Sequence, residues 1–212
     1  MTSPFFRCLF LVLCLGLCSS LCALSLDLTL TFRKDGSLET QWEVEIPEKA
    51  SGILQEMLSL EGAAKGIFPP EEQAWRKMLE AHPGITLEEC RSYGQAGGRR
   101  YVLRLRAQEG EALLESGLLG ALTLEKPQGE KGIRVLRVTL PSPKEWTPPR
   151  IRSARMLLEA LGGLEVRLRL ETPTPLLDTT GRKTAPRRCQ WLLDSAGWFQ
   201  DALPPLQASW NP

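Results

Sequence analysis

From Leu26 onward, apolar and polar residues alternate along the chain. Leu26, Leu28, Leu30 and Phe32 are separated by Asp27, Thr29 and Thr31. After Lys34-Asp35-Gly36-Ser37 the alternation resumes, with Leu38, Thr40, Trp42, Val44 and Ile46 set against Glu39, Gln41, Glu43 and Glu45. A period of two puts successive side chains on opposite faces of a strand. An Asp-Gly step between two such runs is the strongest short-range signal of a hairpin. The pattern therefore predicts two paired strands with one apolar face and one polar face. Pro47 ends the pairing, since it has no N–H to donate.

The period then lengthens. Ile53, Leu54, Met57, Leu58 and Leu60 recur at helical spacing and predict a helix over 50–60. Pro69-Pro70 followed by Glu71 and Glu72 predicts a second helix over 71–81, with first-turn prolines and acids at its start. His82-Pro83-Gly84 stops it. A second hairpin follows, with strands over 85–93 and 99–107 around Gln95-Ala96-Gly97-Gly98. A short helix is expected over 109–119, then a third hairpin from 122–125 and 133–140. The alternation changes phase between Val135 and Leu136, which suggests a bulge or burial on both faces. Thr147-Pro148-Pro149 opens a helix over 150–161, and Gly162-Gly163 closes it. Leu164, Val166, Leu168 and Leu170 alternate with charged residues in a strand. Residues 172–186 read as a polar loop, and 187–193 as a returning strand.

This element list predicts an α+β fold, mostly an antiparallel sheet of hairpins with about four inserted helices. The domain organisation follows. Residues 1–25 are a leader, 26–194 an exported domain, and 195–212 a loosely packed tail containing Trp198, Trp210 and several prolines.

The leader stands apart in composition. Arg7 is its only charged residue, and Cys8 to Cys18 is an unbroken apolar run ending in Ser19 and Ser20. A basic start, an apolar centre and a small-residue exit describe a secretory signal peptide. Ala23 and Ser25 would occupy the −3 and −1 positions of a cut before Leu26. The same stretch also fits an uncleaved anchor, because Cys8 to Leu26 could just span a bilayer. Acylation of Cys18 or Cys22 is the third reading, although leucine precedes each where an acylation motif expects Gly, Ala or Ser.

That segment changes the meaning of the composition. The 212 residues carry 26 Lys plus Arg, 25 Asp plus Glu and six cysteines. Without residues 1–25 the charges balance, 25 against 25, and only Cys90 and Cys189 remain. Balanced charge argues against a nucleic-acid binder. Outside the cytoplasm the two cysteines are either a disulfide or two separate buried thiols.

Candidate chemistry is sparse. The single histidine, His82, has no nucleophile-elbow serine to serve. No phosphate loop, dinucleotide fingerprint or zinc-type ligand spacing is present. No cofactor is expected. Glu71-Glu72 and Glu88-Glu89 could supply paired carboxylates for a hydrolase. They read more simply as a helix N-terminal pair and an exposed strand edge. Arg100, Arg104 and Arg106 share one strand face, and Arg167 and Arg169 share another. Were those strands neighbours, they would form a cationic surface able to contact anionic lipid heads or acidic polymer. The alternative is cross-strand pairing with Glu39, Glu43, Glu45, Glu165 and Glu171.

Two segments carry a family resemblance. Leu26-Asp-Leu-Thr-Leu-Thr-Phe-Arg-Lys-Asp-Gly-Ser-Leu38 resembles the first hairpin of LppM-like bacterial envelope proteins. Leu164 to Leu170, Thr172-Pro173, the Thr-Gly181 loop and Cys189-Gln-Trp191-Leu resemble the end of that family's domain. The resemblance implies an exported domain of the cell envelope, with lipid as a possible contact and no catalytic residues to carry over. The expectation is thus a non-enzymatic exported domain of the periplasm, envelope or extracellular space. It would bind lipid or an envelope protein, with membrane association through its N-terminus. The other readings are a structural or protein-interaction module without ligand, and a carboxylate-dependent hydrolase.

Overall fold

The computed structural model describes residues 24–51, 71–95, 97–119, 122–125, 132–138, 162–194 and 205–212, with five positions of a helical stretch between 151 and 159. The first hairpin is β1 (Leu24–Phe32) and β2 (Leu38–Pro47), paired antiparallel from Ser25↔Glu45 to Phe32↔Leu38. Its turn uses the Asp-Gly chemistry directly. Gly36 takes φ +86°, which a side chain would oppose. Asp35 accepts hydrogen bonds from the Ser37 hydroxyl (2.7 Å) and amide (3.0 Å). Those bonds hold the Asp35 carboxyl below its ordinary range. In both strands every second residue is buried, so the alternation does become an inner and an outer face.

The remaining elements are α1 (Glu72–Leu79), β3 (Ile85–Gln95), β4 (Gly98–Ala107), α2 (Gly110–Glu115), β5 (Leu122–Glu125), β6 (Arg134–Val138), β7 (Leu164–Glu171), β8 (Leu176–Thr179), β9 (Arg182–Ala185), β10 (Arg188–Asp194) and β11 (Leu206–Trp210). They form two sheets. The larger has seven strands in the order β3-β4-β2-β1-β7-β10-β9, and the smaller has four in the order β5-β6-β11-β8. The two inner faces share one apolar core. Leu30, Leu38, Leu105 and Leu170 of the large sheet belong to it, with Leu136, Leu206 and Trp210 of the small one. The rings of Phe32 and Trp210 meet at 5.0 Å and join the sheets. Trp75 of α1 is fully buried in the same core.

The expected α+β class is overturned: the protein is mostly β. Among the described residues the two helices with assigned bounds have only eight and six residues. The helix expected over 50–60 is described only at its start, where 48–51 are helical, and the rest lies outside the described residues. The expected helix over 150–161 is helical at its described positions. The large sheet is also mixed rather than antiparallel, because β1 and β7 pair in parallel from Leu24↔Leu164 to Thr31↔Glu171. Hairpins can be read from adjacent runs. A pairing across some 140 positions leaves no local mark.

Three strands were not expected. The stretch read as a polar loop contains β8 and β9, and the tail contains β11. The tail is not loosely packed over 206–210, since β11 lies between β6 and β8 and Trp210 has no exposed surface. The irregularity expected between Val135 and Leu136 does not occur there. Register runs unbroken along β6, and the breaks fall at Leu87/Glu89, Arg188/Cys189 and Ser209/Trp210. At the other end, β1 begins at Leu24, inside the segment read as leader. Leu24 is fully buried, and its N–H donates to the Gly163 carbonyl at 2.9 Å. The remainder of that leader lies outside the described residues.

Candidate functional site

The outer face of the large sheet carries most of the side chains singled out from the sequence. Read across the strands by register, one row runs Tyr93, Arg100, Glu45, Ser25, Glu165, Asp194. The next runs Arg91, Val102, Glu43, Asp27, Arg167, Leu192, and the third Glu89, Arg104, Gln41, Thr29, Arg169, Gln190. Opposite charges adjoin in these rows at Arg100/Glu45, Asp27/Arg167 and Glu89/Arg104, and like charges at Glu43/Asp27 and Glu165/Asp194. Ion pairs form between neighbouring strands, some of them on the diagonal.

The five arginines proposed as a cationic surface are divided by this order. Arg100, Arg104 and Arg106 lie on β4, and Arg167 and Arg169 on β7, with β2 and β1 between them. Arg100 bonds Glu43. Arg104 pairs with Glu89 at 3.1 Å and donates to Gln41 at 2.8 Å. Arg106 lies 4.0 Å from Glu88. Asp27 receives Arg167 at 3.3 Å and Arg169 at 3.5 Å, and Arg167 also bonds Glu165. The face is therefore zwitterionic and internally paired, but with other partners than those expected. For these five arginines only Glu43 pairs across strands as expected, Glu165 pairs along its own strand, and Asp27, Glu88 and Glu89 take the remaining arginines. Each pair is partly exposed and contributes at most ~1 kcal/mol. The value of the pattern is that no strong potential of either sign develops.

The other sequence candidates are scattered. Cys90 on β3 and Cys189 on β10 are both free thiols. Five strand spacings separate them, about 24 Å along the sheet at ~4.8 Å each, whereas a disulfide needs Cα atoms within ~7 Å. Of the two readings open from the sequence, the structure shows two separate thiols, Cys189 buried and Cys90 half-buried, and no disulfide. Burial pushes both thiols up; the Glu72 carboxylate adds to this at Cys90, while a Thr179 hydrogen bond offsets it at Cys189. Glu72 is held by Arg76 at 2.6 Å on α1, and Glu71 precedes the helix without a capping bond. His82 follows α1, where its backbone N–H bonds Leu79 and its carbonyl accepts from Ile85. Among the described residues no cluster of three metal-ligating side chains occurs. No described helix is long and apolar enough to cross a membrane.

The segment that resembles the end of the LppM-like domain has a structural logic. Trp191 donates its indole N–H to the Thr180 hydroxyl at 3.1 Å, and that hydroxyl also accepts from the Gln207 amide at 2.9 Å. Thr180 in turn donates to the Pro205 carbonyl at 2.8 Å. The indole lies so close to Gly181 that a Cβ there would meet Trp191 at 2.7 Å. The Thr-Gly loop and the tryptophan thus bind β11 to both sheets.

One feature of the outer face was not foreseen. A shallow polar depression of about 220 Å³ lies near its centre, lined by Thr29, Thr31, Glu39, Gln41, Glu88 and Arg104. It exists because β1 carries two short threonines where its neighbours carry long side chains. Thr29 sits beside Gln41 and Arg169, and Thr31 beside Glu39 and Glu171. The two threonines are visible in the sequence. Their position between long neighbours required the β2-β1-β7 order.

No protein-family model matches the chain, and no curated protein matches it. Among solved structures it is similar to the NMR structure of the folded domain of LppM from Mycobacterium tuberculosis. The two are 12% identical with a TM-score of 0.46, over 92% of this chain and 93% of that one.

Proposed function

We propose that the chain is a non-enzymatic binding domain of the cell envelope, exported by its N-terminal segment. The observation that carries the reading is the leader sequence, with Arg7, the apolar run from Cys8 to Cys18 and the small residues after it. The resemblance of both ends of the domain to LppM-like envelope proteins supports it. The leader runs directly into β1, so a retained or acylated N-terminus would hold the domain against the membrane surface. A cut before Leu26 would delete the buried Leu24, a loss of about 1.5–3 kcal/mol. The reading therefore moves the cut or the acylated cysteine upstream of Leu24.

The partner in this reading is an envelope lipid or protein, met elsewhere than at a cationic sheet face. Cell fractionation followed by intact-mass measurement tests the proposal. It expects an envelope or secreted fraction and an N-terminus at or before Leu24, with or without an acyl chain. A cytoplasmic full-length product would overturn it. Lipid extraction of the purified protein separates a lipid ligand from a protein partner.

A further inference from the structure

We infer that the polar depression on the outer face is a binding site for a neutral, hydroxyl-rich saccharide. The inference stands whether or not the chain is exported.

Its lining selects the ligand class. No side chain in it is apolar apart from the threonine methyls, so an acyl chain would gain nothing by entering. The lining carries two carboxylates, Glu39 and Glu88, and one guanidinium, Arg104, itself paired with Glu89, which disfavours a phosphate or carboxylate. A bare cation is also poorly served. Glu39 is already bonded to Arg33 at 2.6 Å and Glu88 lies 4.0 Å from Arg106.

What remains suits hydroxyl groups. The carboxylates keep free lone pairs, and Arg104 is about half exposed. The hydroxyls of Thr29 and Thr31 make no hydrogen bond to any described residue, and each can both donate and accept. A sugar hydroxyl does the same, so a ring can satisfy both kinds of group without bringing charge.

The shape agrees. About 220 Å³ is smaller than a drug-sized pocket, ~300–1,000 Å³, and suits one ring at a time. The lining runs from β1 to Glu88 on β3, three strand spacings or about 14 Å. An oligosaccharide could lie across the strands with one ring in the depression and its neighbours on the paired polar surface.

The test is calorimetric titration of the intact protein with maltotriose, cellotriose and chitotriose, set against inorganic phosphate and spermine. At least one trisaccharide is expected to bind with a millimolar Kd, and neither ion to compete with it. The double variant Thr29→Val, Thr31→Val removes both hydroxyls, keeps the shape and favours the strand. It should weaken binding about tenfold or more. Glu88→Ala, at an exposed bulge, should weaken binding too and keeps the test open if the double variant does not fold. Failure of all three trisaccharides to bind would overturn the inference. So would displacement by phosphate or spermine, or undiminished binding by the variants.

Discussion

In the large sheet, β1 pairs with β2 and β3 with β4, each across a short turn. In the small sheet, β11 lies between β6 and β8, which come from parts of the chain far from it and from each other. The large sheet is carried by alternation. Five consecutive inward positions of β1 are buried, and the outer charges pair between strands. The small sheet has short strands, and much of its attachment is side chain to backbone. Thr174 donates to the Asn211 carbonyl, Thr179 to that of Gln207, and Thr180 to that of Pro205. Strong local patterning thus builds most of the large sheet. In the small one a local hairpin, β5–β6, is extended by β11 and β8, which a few anchors recruit from distant parts of the chain.

The sharpest way to break this contrast is to remove one core side chain from each sheet. Trp210→Ala should cost about 3–5 kcal/mol, and Leu30→Ala about 2–5 kcal/mol. Their patterns should differ. Hydrogen exchange should show Trp210→Ala opening β11 and β8 while β1 and β7 stay protected, whereas Leu30→Ala should lower protection everywhere. Equal loss of protection across both sheets in both variants would show that the small sheet is no weaker unit. Next in size is Gly181→Ala, which forces a methyl into the Trp191 indole and should cost about 1–3 kcal/mol in urea unfolding. Removing the anchor hydroxyl with Thr180→Val should cost a similar amount, since it leaves the Trp191 and Gln207 donors unpaired.

Smaller effects belong to the outer face. Arg100→Gln breaks the pair with Glu43 and should change stability by less than ~1 kcal/mol, with the difference vanishing at high salt. The smallest effect is at the hairpin turn. The Ser37 hydrogen bonds depress the Asp35 carboxyl, so their contribution is complete above the unfolded carboxylate range, ~3.9. It fades as pH falls through the lower folded value. Ser37→Ala should flatten that acid limb of the stability profile by slightly lowering stability above that range, with almost no change at the acid end, as pH-dependent urea unfolding would show.

The legible parts were those whose cause is local. The hairpins around Asp35-Gly36 and Gly97-Gly98 follow from period-two runs and turn residues. The strand 164–171 follows from its own alternation. β8 and β9 were illegible because Leu176–Thr179 and Arg182–Ala185 are four residues each, too short to show a period, and β9 is mostly polar. They are strands only because β11 and β10 offer them backbone partners. Of the candidate site residues, the arginines and their acidic partners were readable as inventory. Whether they formed a basic patch or a paired lattice depended on which strands lay between them. The Cys90–Cys189 question was likewise one of strand order.

The sequence by itself determined the polarity of each strand's two faces, the turns, the balanced charge of the domain and the unlike character of residues 1–25. These are properties of short windows, set by side-chain period and backbone preference. The tertiary structure alone decided four things. It made β1 and β7 parallel neighbours, drew Trp210 into the core, kept the two thiols apart and set two threonines as the floor of a polar depression. Each depends on contacts between segments far apart in the chain, made where the loss of chain entropy is offset by burial in one shared core.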